Sequence, residues 1–112
     1  MTTLLNNSWA LLLLAGICEI GWPLGYKLAQ ANEGLRQYSW LAFAIAAGIL
    51  SAWLLWLAQK GIPIGTAYAA WTGIGAAGTF ALGIIFFGEQ SSMLRWFGVA
   101  MIIGGVITLK SS

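Results

Sequence analysis

The sequence is poor in charged residues, and this scarcity indicates its class. Charged residues make up 7% of the 112 positions and hydrophobic residues make up 60%, whereas about a quarter of a typical soluble domain is charged. This composition predicts an integral membrane protein, and the length allows a single domain. The net charge of +2 is too small and too scattered to indicate a nucleic-acid partner.

Histidine is absent, and cysteine occurs once. These absences remove most metal sites and most nucleophilic enzymes, so we expect no metal, no cofactor and no enzymatic activity. The lone Cys18 excludes an internal disulfide, and its apolar surroundings favour a packing role over a reactive thiol. Residues 1–8 lack a basic region, and the apolar run after them is too long for a signal core. We therefore expect a retained membrane span and not a cleaved signal peptide.

Four apolar runs are long enough to cross a bilayer as helices. They cover about residues 9–28, 39–59, 64–87 and 93–109, and they predict an all-α membrane protein with four transmembrane helices. A polar connector over residues 29–37 follows the first span, and short turns separate the others. Asn6, Asn7 or Ser8 can cap the first helix, and Pro63 suits the first turn of the third.

Glu19 is the strongest functional signal in the chain, because it is the single charge in the interior of the first span, whose far end carries Lys27. At roughly 1.5 Å per helical residue it lies about 15 Å beyond Trp9, near the middle of the bilayer. A carboxylate at that depth marks a functional site by default, although it can also pair silently with a neighbouring helix. Apolar surroundings favour its neutral form, and an arriving cation favours its ionised form. Competition of a proton and a cation for one group is the minimum requirement of proton-coupled antiport.

Helical spacing places several further residues on the face that carries Glu19. Gly16 allows a close approach by a backbone or a ligand, Trp22 offers an indole N–H, and Pro23 can kink the helix. Together with Tyr26, these residues are candidates for lining the site. Trp22 could instead face lipid, and Tyr26 could instead belong to the aromatic belt at the membrane interface.

The second and third spans contribute candidates for the surroundings of the glutamate. Ser51, in the middle of span two, can bond the carbonyl four residues earlier or reach the carboxylate. Tyr68 and Trp71 lie on one face of span three, where they either pack or face a cation. Gly73 and Gly75 follow, and they mark a hinge or a close helix contact.

The fourth span has no charge at membrane depth, and it is lined by glycines. Gly98, Gly104 and Gly105 predict a groove for another helix. This span therefore has the character of an assembly element and not of a wall of the transport pathway.

The basic residues barely distinguish the two sides of the membrane. One side carries Lys60 and Lys110, and the opposite side carries Lys27, Arg36 and Arg95. Because basic residues set orientation, a difference of one predicts insertion in both orientations, with an ordinary single orientation as the alternative. A dimer of oppositely oriented chains would supply the inverted repeat that many transporters build around a midplane site.

Span three begins with Pro-Ile-Gly-Thr-Ala-Tyr-Ala-Ala-Trp at residues 63–71. With four short spans, Glu19 in the first and glycines in the fourth, this motif resembles the small multidrug resistance family over essentially the whole chain. Trp22 and the run Trp-Thr-Gly-Ile-Gly at residues 71–75 resemble its guanidinium-exporter subtype more than its polydrug subtype. Pro23, Tyr26 and a longer first connector depart from the family pattern.

The resemblance implies an activity and the residues that perform it. Glu19 would be the shared proton and substrate site, and Trp22, Ser51, Tyr68 and Trp71 would be its hydrogen-bonding shell. The glycines of span three would be the hinge of alternating access. Span four would hold an antiparallel homodimer, or a heterodimer with a second such chain. Guanidinium and small substituted guanidines would be exported across a bacterial inner membrane against entering protons.

Three other functions fit parts of the sequence. A polydrug exporter of quaternary ammonium compounds and hydrophobic amines is the alternative within coupled transport. A passive cation channel would lack proton coupling. A non-transporting membrane subunit needs neither a glutamate at the midplane nor an aromatic shell around it.

Overall fold

The computed structural model describes residues 7–112, which form four α-helices and no strand. The helices are α1 (Ser8–Gln30), α2 (Leu35–Ala58), α3 (Ile64–Phe87) and α4 (Met93–Ser111). Each has the length and the apolar composition that crossing a membrane requires. For the described part of the chain, this confirms the prediction of an all-α membrane protein with four transmembrane helices.

α1 begins at Ser8 because Asn7 caps it. The side chain of Asn7 accepts a hydrogen bond from the backbone N–H of Ala10 at 3.1 Å, which satisfies one of the free donors of the first turn. Asn7 is therefore the cap among the three candidates, and Asn6 lies outside the described residues. The helix continues through Pro23 to its end.

The first connector is shorter than the sequence predicts. A polar connector is expected over residues 29–37, but α2 already begins at Leu35. Gly34 turns the chain there with a φ of 65°, a left-handed conformation that favours glycine. The amide of Gln37 donates to the carbonyl of Ala29 at 3.1 Å, so this polar side chain covers the end of α1 from within α2. The predicted bounds of this connector are wrong because polar residues at helix ends resemble a loop in sequence.

The last two helices follow the sequence closely. α3 covers the same residues as the third predicted span, and α4 runs two residues beyond the predicted end at 109. Gly88 ends α3 in the left-handed conformation, with a φ of 63°. The hydroxyl of Ser92 accepts from the backbone N–H of Arg95 at 3.2 Å and caps α4.

α1 is the central helix of the chain. It packs against α2 and α3, whereas α4 packs mainly against α3. The core between the first three helices is built from small and aliphatic side chains. Its buried members are Leu11, Leu12, Ala15, Leu54, Ala58, Ile62, Ala67 and Ala70, and the half-buried Cys18 packs against them. α4 contributes no buried residue, so most of its apolar surface faces outward.

Candidate functional site

Glu19 is half-buried on α1, and the next turn of the same helix holds its side chain in place. The indole Nε1–H of Trp22 donates to Glu19 Oε1 at 2.5 Å. Hydrogen bonds to an ionised carboxylate are shorter and stronger than neutral ones. Tyr26 packs edge-on against Trp22, with the ring centroids 5.5 Å apart, and so restrains the indole. The structure therefore brings these three predicted residues together.

A cavity of about 230 Å³ lies beside this carboxylate, between α1 and α3. α1 lines it with Glu19, Trp22 and Pro23. α3 lines it with small and hydroxylated residues, which are Thr72, Gly75, Ala76 and Thr79. A few polar groups in a small, mostly apolar cavity are typical of ligand sites. Sequence reasoning missed Thr72, Ala76 and Thr79 as site residues, although their helical spacing places them on the same face as Gly75.

Gly75 allows α3 to pass directly over the glutamate. A Cβ at this position would lie 2.7 Å from Cγ and 3.2 Å from Cβ of Glu19. Gly73 makes a similar contact with α4, where an added Cβ would lie 2.7 Å from Cγ2 of Val106. In this conformation both glycines are positions of close helix contact, and α3 is continuous through them. The hinge stays a prediction.

Pro23 changes the backbone at the site. Because proline has no N–H, it cannot donate to the carbonyl four residues earlier, which is that of Glu19. This carbonyl is therefore a backbone acceptor without its usual helical donor. Pro23 and Glu19 both line the cavity. Besides its carboxylate, Glu19 thus has a backbone acceptor that lacks its helical donor.

Ser51 and Trp71 form a separate network that fixes the turn of α1 before the glutamate. The fully buried Ser51 donates its Oγ–H to the carbonyl of Ala15 at 2.7 Å and accepts from Nε1 of Trp71 at 2.8 Å. Its partner is neither the carbonyl of its own helix nor Glu19, which are the two alternatives that the sequence leaves. In the helical pattern the Ala15 carbonyl also accepts from the amide of Glu19. The network therefore joins three helices at the site.

Gly16 and Tyr68 belong to the packing around the site in this single chain. Gly16 is buried against α3, and a Cβ there would lie 2.6 Å from Cγ2 of Ile74. Tyr68 is 56% exposed, and its ring centroid lies 5.4 Å from that of Trp71. Neither Gly16 nor Tyr68 is among the described residues that line the cavity of Glu19. Their predicted places in the site stay predictions.

The glycines of α4 lie on open surface. Within the described residues 7–112, and apart from the adjacent residues and the backbone of α4 itself, no atom lies within 4 Å of where a Cβ of Gly98, Gly104 or Gly105 would be. A bare helix surface of this kind permits close packing with another helix. The role of these glycines in a dimer stays a prediction, because the structure contains one chain.

Four of the five basic side chains lie over aromatic rings at 5.0 to 6.0 Å from the ring centroid. The pairs are Lys27 with Phe87, Lys60 with Trp56, Arg95 with Phe80 and Lys110 with Trp9. None of these four contacts involves Glu19. The carboxylate is therefore accessible to a cation that the cavity admits.

The chain is similar to known proteins over nearly its whole length. The family model described as Small Multidrug Resistance protein matches residues 7–102. The chain belongs to this family. A guanidinium exporter of Proteus vulgaris is 46% identical over 103 residues, which cover 92% of this chain and 96% of the relative. A guanidinium exporter of Yersinia pseudotuberculosis is 42% identical with the same coverage. A guanidinium exporter of Citrobacter freundii is 41% identical over 94% of this chain and 97% of the relative.

Membership of the family confirms the resemblance that the third span and Glu19 carry. It also confirms the expectation of a multi-pass membrane transporter and not an enzyme. The match begins at Asn7, the residue that caps α1, and extends into α4. It therefore includes both cavity-lining helices and all the predicted residues around the glutamate.

Proposed function

We propose that this chain is a proton-coupled exporter of guanidinium and small substituted guanidines in a bacterial inner membrane. The observation that carries the proposal is the half-buried carboxylate of Glu19 beside a small cavity, oriented by Trp22 at 2.5 Å. The relatives named as guanidinium exporters, at 41% to 46% identity over more than nine-tenths of the chain, support the substrate.

A planar cation with several N–H groups fits the acceptors at this site. Trp22 occupies Oε1 of Glu19, so Oε2 and the backbone carbonyl that Pro23 leaves without a donor can each accept one N–H of a guanidinium. Two acceptors from one residue suit the fork geometry of this group better than that of a spherical quaternary ammonium ion. The aromatic rings of Trp22 and Tyr26 add surface that favours a cation.

Coupling follows from the single carboxylate. A bound cation pairs with the charged carboxylate of Glu19, and a proton that binds this carboxylate removes the charge that attracts the cation. A proton and a guanidinium therefore exclude one another at the same oxygens. If the site faces one side of the membrane at a time, export of the cation requires entry of protons.

A second copy in the opposite orientation would complete the transport pathway. Support comes from the small difference in basic residues between the two sides, from the absence of buried residues in α4 and from the open surface at its glycines. Tyr68 is exposed in the single chain, so its place in the shell of a glutamate requires a second copy or a rearrangement. The antiparallel homodimer is part of the proposal, with a paired heterodimer as the alternative.

The test is transport in proteoliposomes with an imposed proton gradient. Guanidinium, a substituted guanidine and a bulky quaternary ammonium compound are compared, and we expect the first two to drive proton movement. If the quaternary ammonium compound is the only one of the three that drives proton movement, the result would support the polydrug exporter. Guanidinium flux without proton movement would indicate a channel, and no flux with any of the three would exclude coupled export.

Replacement of the carboxylate tests its role directly. We expect Glu19→Gln to abolish coupled transport because the uncharged amide neither takes up a proton nor attracts a cation. Glu33→Gln, which makes the same change in the first connector, serves as the control and should transport normally. Coupled transport by Glu19→Gln would remove this residue from the centre of the mechanism.

A further inference from the structure

A second cavity lies next to that of Glu19 along the groove between α1 and α3. It has a volume of about 170 Å³, and Pro23 and Thr79 line both cavities. Its other lining residues include Lys27, Phe87 and Glu89, from the ends of the two helices and the turn after α3. We call this second cavity the vestibule, since it lies between the site of Glu19 and the end of the helices.

The carboxylate of Glu89 lies against the bare backbone of Gly83 at the edge of the vestibule, and the residue as a whole is exposed. A Cβ at residue 83 would lie 2.5 Å from Oε1 and 2.7 Å from Cδ of Glu89. The backbone N–H of Glu89 donates to the Gly83 carbonyl at 3.0 Å. Glu89, which lies in the turn after α3, therefore folds back over the last turns of that helix. Its carboxylate lies where a side chain larger than that of glycine at residue 83 would leave no room.

This placement puts a negative charge in the vestibule, beside the positive charge of Lys27. Glu89 follows the C-terminal end of α3, where unpaired carbonyls carry partial negative charge. A carboxylate normally stabilises the opposite end of a helix, and at this end it is repelled. Helix stability therefore does not explain the position of Glu89. The fields of the carboxylate and of the helix end add, so this position attracts cations, and the ammonium of Lys27 is the one that the chain itself supplies.

Lys27 shows that the vestibule accommodates a cation. Its ammonium lies 6.0 Å from the centroid of the Phe87 ring, within the range of a cation–π interaction. The side chain is exposed, and its flexible stem can carry the charged end out to the membrane interface. A mobile cation can therefore replace this ammonium without any movement of α1.

We propose that the vestibule is a second, weaker site for guanidinium-class cations. The Glu89 carboxylate and the Phe87 ring hold the cation on its way to or from Glu19, and Lys27 occupies the site when no cation is there. This inference rests on the proposed function, because it takes the same substrate. In an antiparallel dimer, each face of the membrane would have one vestibule.

Transport kinetics of Glu89→Gln test the site, with Glu33→Gln as the matched control. Both variants remove one negative charge on the same side of the chain, but Glu33 does not line the vestibule. We expect Glu89→Gln to raise the KM for guanidinium about two- to fivefold, with kcat unchanged, which corresponds to a partly exposed charge pair. Glu33→Gln should keep the wild-type KM.

Equilibrium binding separates this site from that of Glu19. Guanidinium binding is measured by isothermal titration calorimetry, and the part that Glu19→Gln loses is the binding at Glu19. The Kd of that part should be the same in Glu89→Gln and Glu33→Gln. Equal KM values in the two variants would overturn the vestibule while leaving the proposed function intact. A wild-type protein that does not transport guanidinium would instead overturn the proposed function.

Two further variants test the arrangement itself. Gly83→Ala should raise the KM in the wild-type background, because its Cβ displaces the Glu89 carboxylate, and should have no further effect on Glu89→Gln. Lys27→Gln should lower the KM about twofold, because it removes the tethered competitor. Additive effects of Gly83→Ala and Glu89→Gln, or an unchanged or raised KM in Lys27→Gln, would contradict the proposal.

Discussion

Two residues that follow Glu19 by three and four positions act on its oxygen atoms. Trp22 takes up one carboxylate oxygen through its indole N–H, and Pro23 leaves the glutamate carbonyl without a helical donor. Ser51 acts one turn earlier, where it joins the carbonyl of Ala15 to Trp71. The carboxylate is thus positioned by local helix geometry on one side and by an interhelical network on the other.

The N–H of Trp22 is testable apart from its ring. We expect Trp22→Phe to lower kcat/KM for guanidinium about tenfold, because a hydrogen bond to a charged group is lost while an aromatic surface remains. Proteoliposome uptake measures the change. Trp53→Phe is the control, since Trp53 is exposed on α2 and does not line the cavity. Wild-type kcat/KM in Trp22→Phe would show that the indole does not orient the carboxylate during transport.

The acceptor that Pro23 leaves free can be removed. Pro23→Ala restores an N–H that bonds the carbonyl of Glu19, so guanidinium should bind about three- to tenfold more weakly. Tetramethylammonium, which has no N–H group, should bind as it does to the wild-type protein. Titration of both ligands measures the effect. An equal change for the two ligands would indicate a change of shape and not the loss of an acceptor.

At the scale of helices, the small residues of α3 determine how close the second wall of the site can come. α3 passes over Glu19 at Gly75 and contacts α4 at Gly73. The same helix supplies the two threonines of the cavity. A helix that combines contact glycines with hydroxyl groups can form a site wall and still permit movement of its neighbours.

Gly75→Ala tests this contact between helices. Its Cβ would lie 2.7 Å from Glu19 Cγ, so we expect the carboxylate to be displaced and guanidinium transport to fall at least about tenfold. The control is Gly65→Ala on the same helix, where no described atom outside the neighbouring backbone of α3 and the two adjacent residues lies within 4 Å of the added Cβ. Size-exclusion chromatography verifies that both variants are folded, and normal transport by Gly75→Ala would show that α3 can move away from the glutamate at no cost.

At the scale of the whole molecule, the single chain leaves much apolar surface outside its core. α4 has no buried residue, and α3 carries exposed rings and aliphatic side chains. Lipid can cover such surface as well as protein can, so exposure alone does not demand a partner. The case for a second copy rests on the weak difference in basic residues and on a site that a single copy lines from α1 and α3.

Labelling of an engineered cysteine tests the two orientations. Gln90 is exposed in the turn between α3 and α4, so Gln90→Cys in a Cys18→Ala background presents one reactive thiol. We expect an impermeant maleimide to label about half of the chains from each side of the membrane, since the basic residues barely favour one side. Labelling from one side alone would exclude the antiparallel dimer of identical chains.

Much of the molecule follows from short-range pattern in the sequence. Long apolar runs become helices because every backbone group must be paired inside a membrane, and this determined the class and the four spans. The contact between Glu19 and Trp22 is also local, since residues three apart share a helix face. The start of α2 was missed because the polar residues of helix ends have the composition of a loop.

Contacts between helices were decided by the tertiary structure alone. The partner of Ser51 is a carbonyl on another helix, and Thr72 and Thr79 line the site because α3 is turned toward α1. Glu89 reaches the groove because its chain folds back over Gly83. An almost uniformly apolar helix carries little pattern to indicate which face meets which neighbour. The sequence by itself therefore identified Glu19 as the candidate site, and only the packing decided what surrounds it.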